Sequence, residues 1–263
     1  MTLFVFDFDG VLFETDRECL AIAYRAVREL PAAWAEPYRA REEPDAALTR
    51  AFLAHRHRVG PPWQYAVLLR AIALRTLPET TEQFLAQAAA LRGELEPFTE
   101  RYFAARGAVA ADRARWLALS TPFAGAVREF QRLHARGEAA ILSTRDDASI
   151  RLLCAHYLGI ELGPGALLPR SGPREKWEIL LETAAARGLA PADVFFVDDY
   201  LHHALPAHRR GVAAHLARWG YVGEGDLEAA LTAGMPCLQL PDLGAAIRAR
   251  EGTVDATHEE DRT

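Results

Sequence analysis

The sequence predicts an α/β fold: a parallel sheet with helices on both faces, interrupted after its first strand by a long helical insert. Short apolar runs recur at Leu3–Phe6, Ala139–Leu142 and Val194–Val197, and two further strands are expected at Val212–Leu216 and Cys237–Leu240. Beyond residue 120, amphipathic stretches alternate with those runs. Between the first run and the second, Ala, Leu, Arg and Glu dominate and β-branched clusters are missing. Apolar runs without polar alternation suit parallel strands covered on both faces. Strand–helix alternation is the pattern that builds such a sheet.

The elements follow in order. Leu3–Phe6 is the first strand, and Asp9-Gly10 supplies a turn after it. Thr15 or Asp16 can cap a helix starting about Arg17. The insert reads as helical to about Leu119, with a break at Gly60-Pro61-Pro62 and another expected at Gly93 and Pro97. After Ser120-Thr121-Pro122 a helix places Val127, Phe130 and Leu133 on one face and stops at Gly137. The second strand follows, then a helix from Asp146 or Asp147 with Ile150, Leu153 and Tyr157 inward, ending at Gly159. Trp177, Leu180, Leu181 and Ala184 mark the next helix, which Gly188 ends before the third strand. The expected organisation is therefore an α/β core from 1–14 and 120–250, a helical domain over 15–119, and a disordered tail over 251–263. That tail is polar and acidic with almost no apolar residues.

The formal net charge is −6, from 30 Lys and Arg against 36 Asp and Glu. This argues against nucleic-acid and anionic-membrane partners, which select basic surfaces. Cys19, Cys154 and Cys237 lie far apart without metal-type spacing, which fits a reduced, cytoplasmic compartment. Asp7 and Asp9 interrupt the N-terminal apolar run too early for a signal peptide. No run approaches the roughly 20 apolar residues of a membrane span. Monomer and homodimer both remain open.

In an open parallel sheet, ligands gather at the carboxyl ends of the strands. Here those ends carry Asp7-Phe8-Asp9, Ser143-Thr144-Arg145 and Asp198-Asp199, with Lys176 near the start of the helix before the third strand. Carboxylates so close repel one another and call for a cation. Oxygen-only ligands favour Mg²⁺. A metal, a lysine and a hydroxyl suit a phosphate group. One carboxylate can attack phosphorus and a second can exchange protons with the leaving group and water.

Asp7-Phe8-Asp9-Gly10-Val11-Leu12 resembles the first motif of the haloacid dehalogenase (HAD) superfamily, a DxDG strand end. Ile141-Leu142-Ser143 resembles the second motif, Lys176 the third, and Phe195-Phe196-Val197-Asp198-Asp199 the double-aspartate form of the fourth. Pro122-Phe123-Ala124-Gly125 looks like the return from cap to core, and Arg218-Trp219-Gly220-Tyr221 resembles the phosphoglycolate-phosphatase-like branch. The resemblance implies a Rossmann-like core with an inserted helical cap of the C1 type. It implies that Asp7 is the nucleophile and Asp9 the general acid/base. Mg²⁺ would be held by Asp7, the backbone carbonyl of Asp9 and a fourth-motif aspartate, for which Asp199 aligns better than Asp198. Ser143, with Thr144 as the other candidate, and Lys176 would bind the phosphoryl oxygens. Relatives often carry a further acid about four residues past the metal aspartate; His202 and His203 stand in that region here.

The implied function is a Mg-dependent phosphatase acting on a small phosphorylated metabolite. The same nucleophile would serve a phosphotransferase or sugar-phosphate mutase, and a non-catalytic phospholigand binder is the third possibility. Asp9 argues against dehalogenase and phosphonate-cleaving chemistry. Arg145 is either a substrate contact or a salt-bridged arginine. His202 and His203 read as surface groups or as neighbours of the ligands. From Ala46 to Pro78 the insert has no acidic residue but carries Arg50, Arg56, Arg58, Arg70 and Arg75. This is either an anion-attracting surface or a set of arginines lying along amphipathic helices.

Overall fold

The computed structural model describes residues 1–169 and 174–260. It contains two compact units, one formed by Met1–Glu14 with Pro122–Thr263 and one by Thr15–Thr121. In chain order, strands β1 (Leu3–Phe6) and β2 (Phe13–Glu14) precede helices α1 (Asp16–Arg28), α2 (Glu36–Arg39), α3 (Ala46–Ala54), α4 (Gln64–Leu74), α5 (Thr81–Ala90), α6 (Arg92–Ala111) and α7 (Arg113–Leu117). Then come β3 (Thr121–Pro122), α8 (Ala124–His134), β4 (Ala139–Ile141), α9 (Asp147–Leu153), α10 (Lys176–Ala186) and β5 (Val194–Asp198). The chain continues through α11 (Leu201–His208), β6 (Ala213–Ala217), α12 (Glu224–Thr232), β7 (Cys237–Leu238) and α13 (Leu243–Glu260).

The first unit is built on a five-stranded sheet in the order β4-β1-β5-β6-β7, parallel throughout. β1 is apolar at every position because both its faces are covered. Leu3 and Val5 pack with Ile179, Leu180 and Ala184 of α10. On the opposite face Phe6 meets Phe130 of α8 edge-on, with ring centroids 5.7 Å apart. Register matters most at the strand ends. Phe6 lies opposite Val197 on one side and Ile141 on the other. The next residues, Asp7, Leu142 and Asp198, therefore reach the carboxyl edge of the sheet together. Because β1 connects to β4 on one side while β5 flanks it on the other, the strand order reverses at β1, where an open α/β sheet leaves its crevice.

The second unit is helical. α1 buries Ile22, Ala23, Ala26 and Val27 at helical spacing, and they share a core with Phe52, Tyr65, Leu68, Phe98 and Tyr102. The expected break at Gly93 and Pro97 is displaced. The chain turns at Leu91, and both residues lie inside α6. Pro97 is the sixth residue of α6 and supplies no N–H to the Gly93 carbonyl one turn before it. At the other end of the chain, where an irregular tail was expected from 251, α13 continues to Glu260; residues 261–263 of that tail lie outside the described residues. Among the described residues no helix is long and apolar enough to cross a membrane.

Candidate active site

Asp7 follows β1 directly and is fixed there by its backbone N–H, which donates to the Val197 carbonyl at 2.9 Å. Lys176 is the first residue of α10, and its side chain is 1 % exposed. Its ammonium lies 2.8 Å from Asp7 Oδ1 and 2.7 Å from Asp198 Oδ2. Asp198 is wholly buried, and both its oxygens are engaged by the protein. The Tyr200 N–H donates to Oδ1 at 2.8 Å, and His203 Nδ1 lies 3.4 Å from Oδ2.

Oxygens of Asp7, Asp198 and Asp199 lie within 4.8 Å of one another, and all three residues are buried. Lys176 thus meets two of three clustered carboxylates. Burial pushes the Asp7 carboxyl up to about 7, against the pull of Lys176. Burial also raises that of Asp198, but Lys176 and His203 outweigh it and hold the group down at about 2. The two aspartates raise Lys176 above its ordinary range in spite of its burial. The set is short of positive charge and offers only oxygen donors, so it fits a hard divalent cation such as Mg²⁺.

Asp199 is held by a different device. Tyr221 N–H donates to its Oδ2 at 2.6 Å. A Cβ placed on Gly10 would lie 2.0 Å from Asp199 Oδ2, and one on Gly220 would lie 2.6 Å from the same atom and 2.3 Å from the Gly10 carbonyl oxygen. Gly10 also has φ +85°, a left-handed conformation that glycine adopts without strain. The Trp219 indole N–H donates to the Val11 carbonyl at 3.0 Å. The segment 219–221 is thereby fastened to the loop after β1, and both glycines clear room for Asp199.

The remaining predicted residues stand on the same sheet edge. Ser143 is buried and accepts the Arg145 N–H at 3.2 Å, while Thr144 is half-buried. Asp9 is half-buried and lies 3.0 Å from Arg145 Nη1. His202 is exposed, whereas His203 faces Asp198. Of the insert arginines, Arg56 is buried and donates to the Val59 carbonyl, which removes it from any surface patch. The roles of Tyr221 and Gly220 were not evident from the sequence. Only the Arg218-Trp219-Gly220-Tyr221 likeness pointed to that segment, and no local pattern shows which distant carboxylate a backbone N–H will meet.

The chain belongs to the haloacid dehalogenase-like hydrolase family, whose profile matches residues 1–209. No curated protein matches the sequence. Among solved structures, a predicted phosphoglycolate phosphatase from Haemophilus somnus is 15 % identical with a TM-score of 0.58, over 94 % of this chain and 98 % of that one. A predicted phosphatase from Clostridium acetobutylicum is 12 % identical with a TM-score of 0.58, over 95 % and 99 %. A candidate β-phosphoglucomutase from Thermotoga maritima is 18 % identical with a TM-score of 0.52, over 95 % and 99 %. At these identities the likeness is one of fold. The family makes the chain a hydrolase, and the buried aspartate cluster is compatible with a divalent metal ion.

Proposed function

We propose that this hydrolase is a Mg-dependent phosphatase of small phosphorylated metabolites, working through an aspartyl-phosphate on Asp7. The observation that carries the reading is the Lys176 ammonium seated between Asp7 and Asp198, with Asp199 beside them, in a buried and net-negative pocket. A purely structural ion pair would balance its charges. This cluster instead gathers three buried carboxylates with oxygens within 4.8 Å of one another, as a site that takes up a divalent cation would.

In this reading the Asp7 carboxylate attacks phosphorus, while Lys176 holds its Oδ1 and neutralises a phosphoryl oxygen. Ser143 already accepts the Arg145 N–H, so its own O–H is left to donate to another phosphoryl oxygen. Asp9 gives a proton to the departing ester oxygen. It then takes one from the water that attacks the aspartyl-phosphate, releasing inorganic phosphate and restoring Asp7. Asp7, the Asp9 backbone carbonyl and Asp199 would hold Mg²⁺, and the engagement of both Asp198 oxygens by protein donors favours Asp199 over Asp198. When bound, the ion supplies positive charge for the nucleophile and the phosphoryl oxygens. The helical unit is assigned the part of a substrate-selecting cap.

The test is phosphate release from a panel of small phosphomonoesters, including p-nitrophenyl phosphate, with Mg²⁺ and with EDTA. Mg²⁺-dependent release that Asp7→Asn removes is expected. No release from any member overturns the reading, and an isomeric phosphosugar formed without free phosphate makes the chain a mutase.

A further inference from the structure

We propose that Arg145 is a positioning residue for Asp9: it orients the carboxyl group that transfers protons and does not itself touch the substrate. The inference rests on the assignment of Asp9 as the proton-transfer group.

Four observations converge on Arg145. Its side chain has no exposed surface, 0 % against 18 % for that of Asp9. Its Nη1 is 3.0 Å from Asp9 Oδ1. Its guanidinium lies over the Phe8 ring, 5.6 Å from the centroid, and Phe8 is itself locked by stacking on Phe13 at 4.7 Å. Its backbone N–H donates to Ser143 Oγ. The same residue therefore links the loop after β4 to Phe8 and Asp9 after β1.

Burying an arginine is costly unless it is paired. A substrate-binding arginine would present its fork to the cleft, whereas this side chain is enclosed and holds Asp9 at 3.0 Å. A guanidinium enclosed by the fold and bonded to one carboxylate oxygen holds that oxygen in place. That sets the direction in which Asp9 can exchange a proton. Lysine, a compact charge on a flexible stem, would hold that oxygen less firmly.

The experiment is a cycle of Arg145→Gln and Asp9→Asn, alone and together. Turnover is measured on an alkyl phosphomonoester that the enzyme hydrolyses, with melting temperature and calorimetric Mg²⁺ affinity as controls. Arg145→Gln should lower kcat about 100-fold, the scale of a small misplacement of a catalytic group, with KM and Mg²⁺ affinity nearly unchanged. Added guanidinium should restore part of the loss. In the Asp9→Asn background the same change should cost nothing more, because the two residues act as a unit. A rise in KM with kcat retained would make Arg145 a substrate contact, and additive losses in the double variant would separate it from Asp9; either overturns the proposal. Wild-type kcat in Asp9→Asn alone overturns the underlying assignment instead. If Arg145→Gln does not fold, Arg145→Lys decides: it should lose part of kcat, and wild-type kcat there also overturns the proposal.

Discussion

Both units of the chain bury charge, and they do so on different terms. In the helical unit Glu18, whose side chain is 0 % exposed, accepts the Trp116 indole N–H at 2.8 Å and the Ser120 hydroxyl at 3.4 Å, and lies 3.9 Å from Arg106 Nε. Arg106 in turn lies over the Tyr102 ring at 5.2 Å. Here one acid meets a base and two neutral donors. In the α/β unit three buried carboxylates lie together, and one lysine meets two of them. Balanced burial of this kind ties α1 to the end of the same unit and has no need of a ligand. Unbalanced burial costs stability unless something else arrives, and perturbed groups that cluster at strand ends are the physical mark of a site.

The comparison is most sharply tested at Asp7. Asp7→Asn should lower turnover by about 10⁴-fold or more, since an amide cannot form the acyl phosphate. Yet it removes a charge from an overcrowded pocket, so the melting temperature in metal-free buffer should rise. A fall in both would make the cluster structural. Near-normal turnover would exclude Asp7 as nucleophile.

Glu18 should behave in the opposite way. Glu18→Ala strips the Trp116 indole and Arg106 of a shared partner, and breaking a buried pair costs about 3–5 kcal/mol. Urea unfolding should register that loss, while turnover per folded molecule is retained. An unchanged unfolding midpoint would show that the pair contributes nothing to the fold.

These contrasts also explain what the sequence could and could not reveal. The apolar strands were legible because burial on both faces removes polar alternation. Asp7, Asp9, Ser143, Lys176 and the Asp198-Asp199 pair were legible as a group because each borders a strand end or a helix start. The partner of Arg145 was not legible, since a lone arginine looks the same whether it faces water or a carboxylate 136 positions away. Gly93 and Pro97 are strong breakers by composition, yet the turn falls at Leu91 and α6 carries both residues, so local propensity yields there to the packing of the helical unit. Gly220 stands out in the sequence only through a likeness; its requirement is steric and depends on Asp199.

That requirement gives the third test. Gly220→Ala puts a methyl group 2.3 Å from the Gly10 carbonyl oxygen and 2.4 Å from Asp199 Cβ. Neither backbone nor a buried carboxylate yields cheaply, so Asp199 should be displaced. Loss of a group that supports a metal ligand typically weakens affinity about 10–100-fold. Titration calorimetry with Mg²⁺ would measure it. Wild-type affinity in a folded Gly220→Ala protein would remove Asp199 from the ligand set.

The smallest effect concerns a group that the α/β unit buries away from the site. His215, on β6, stacks on Phe195 with centroids 4.2 Å apart, and its Nδ1 lies 2.9 Å from the Ala213 carbonyl. Burial lowers its imidazole from 6.5 to about 4; the Ala213 and Phe196 carbonyls resist the shift, and Arg250 and His208 add to it. The ring is therefore held neutral, as expected where no opposite charge is supplied. Because the unfolded chain takes up this proton near 6.5 and the folded one only near 4, the unfolded state binds more protons between those values. Stability is then lost as pH falls from about 6.5 toward 4. Linkage puts the loss at about 1 kcal/mol by pH 6 and about 2 kcal/mol by pH 5. His215→Phe keeps the stacked ring and removes the titrating nitrogen. Its unfolding free energy should fall less than that of the wild-type protein between pH 7 and pH 5, by about that difference. If the two acid slopes coincide, the imidazole is already charged in the fold, and the α/β unit tolerates unbalanced charge outside its site as well as within it.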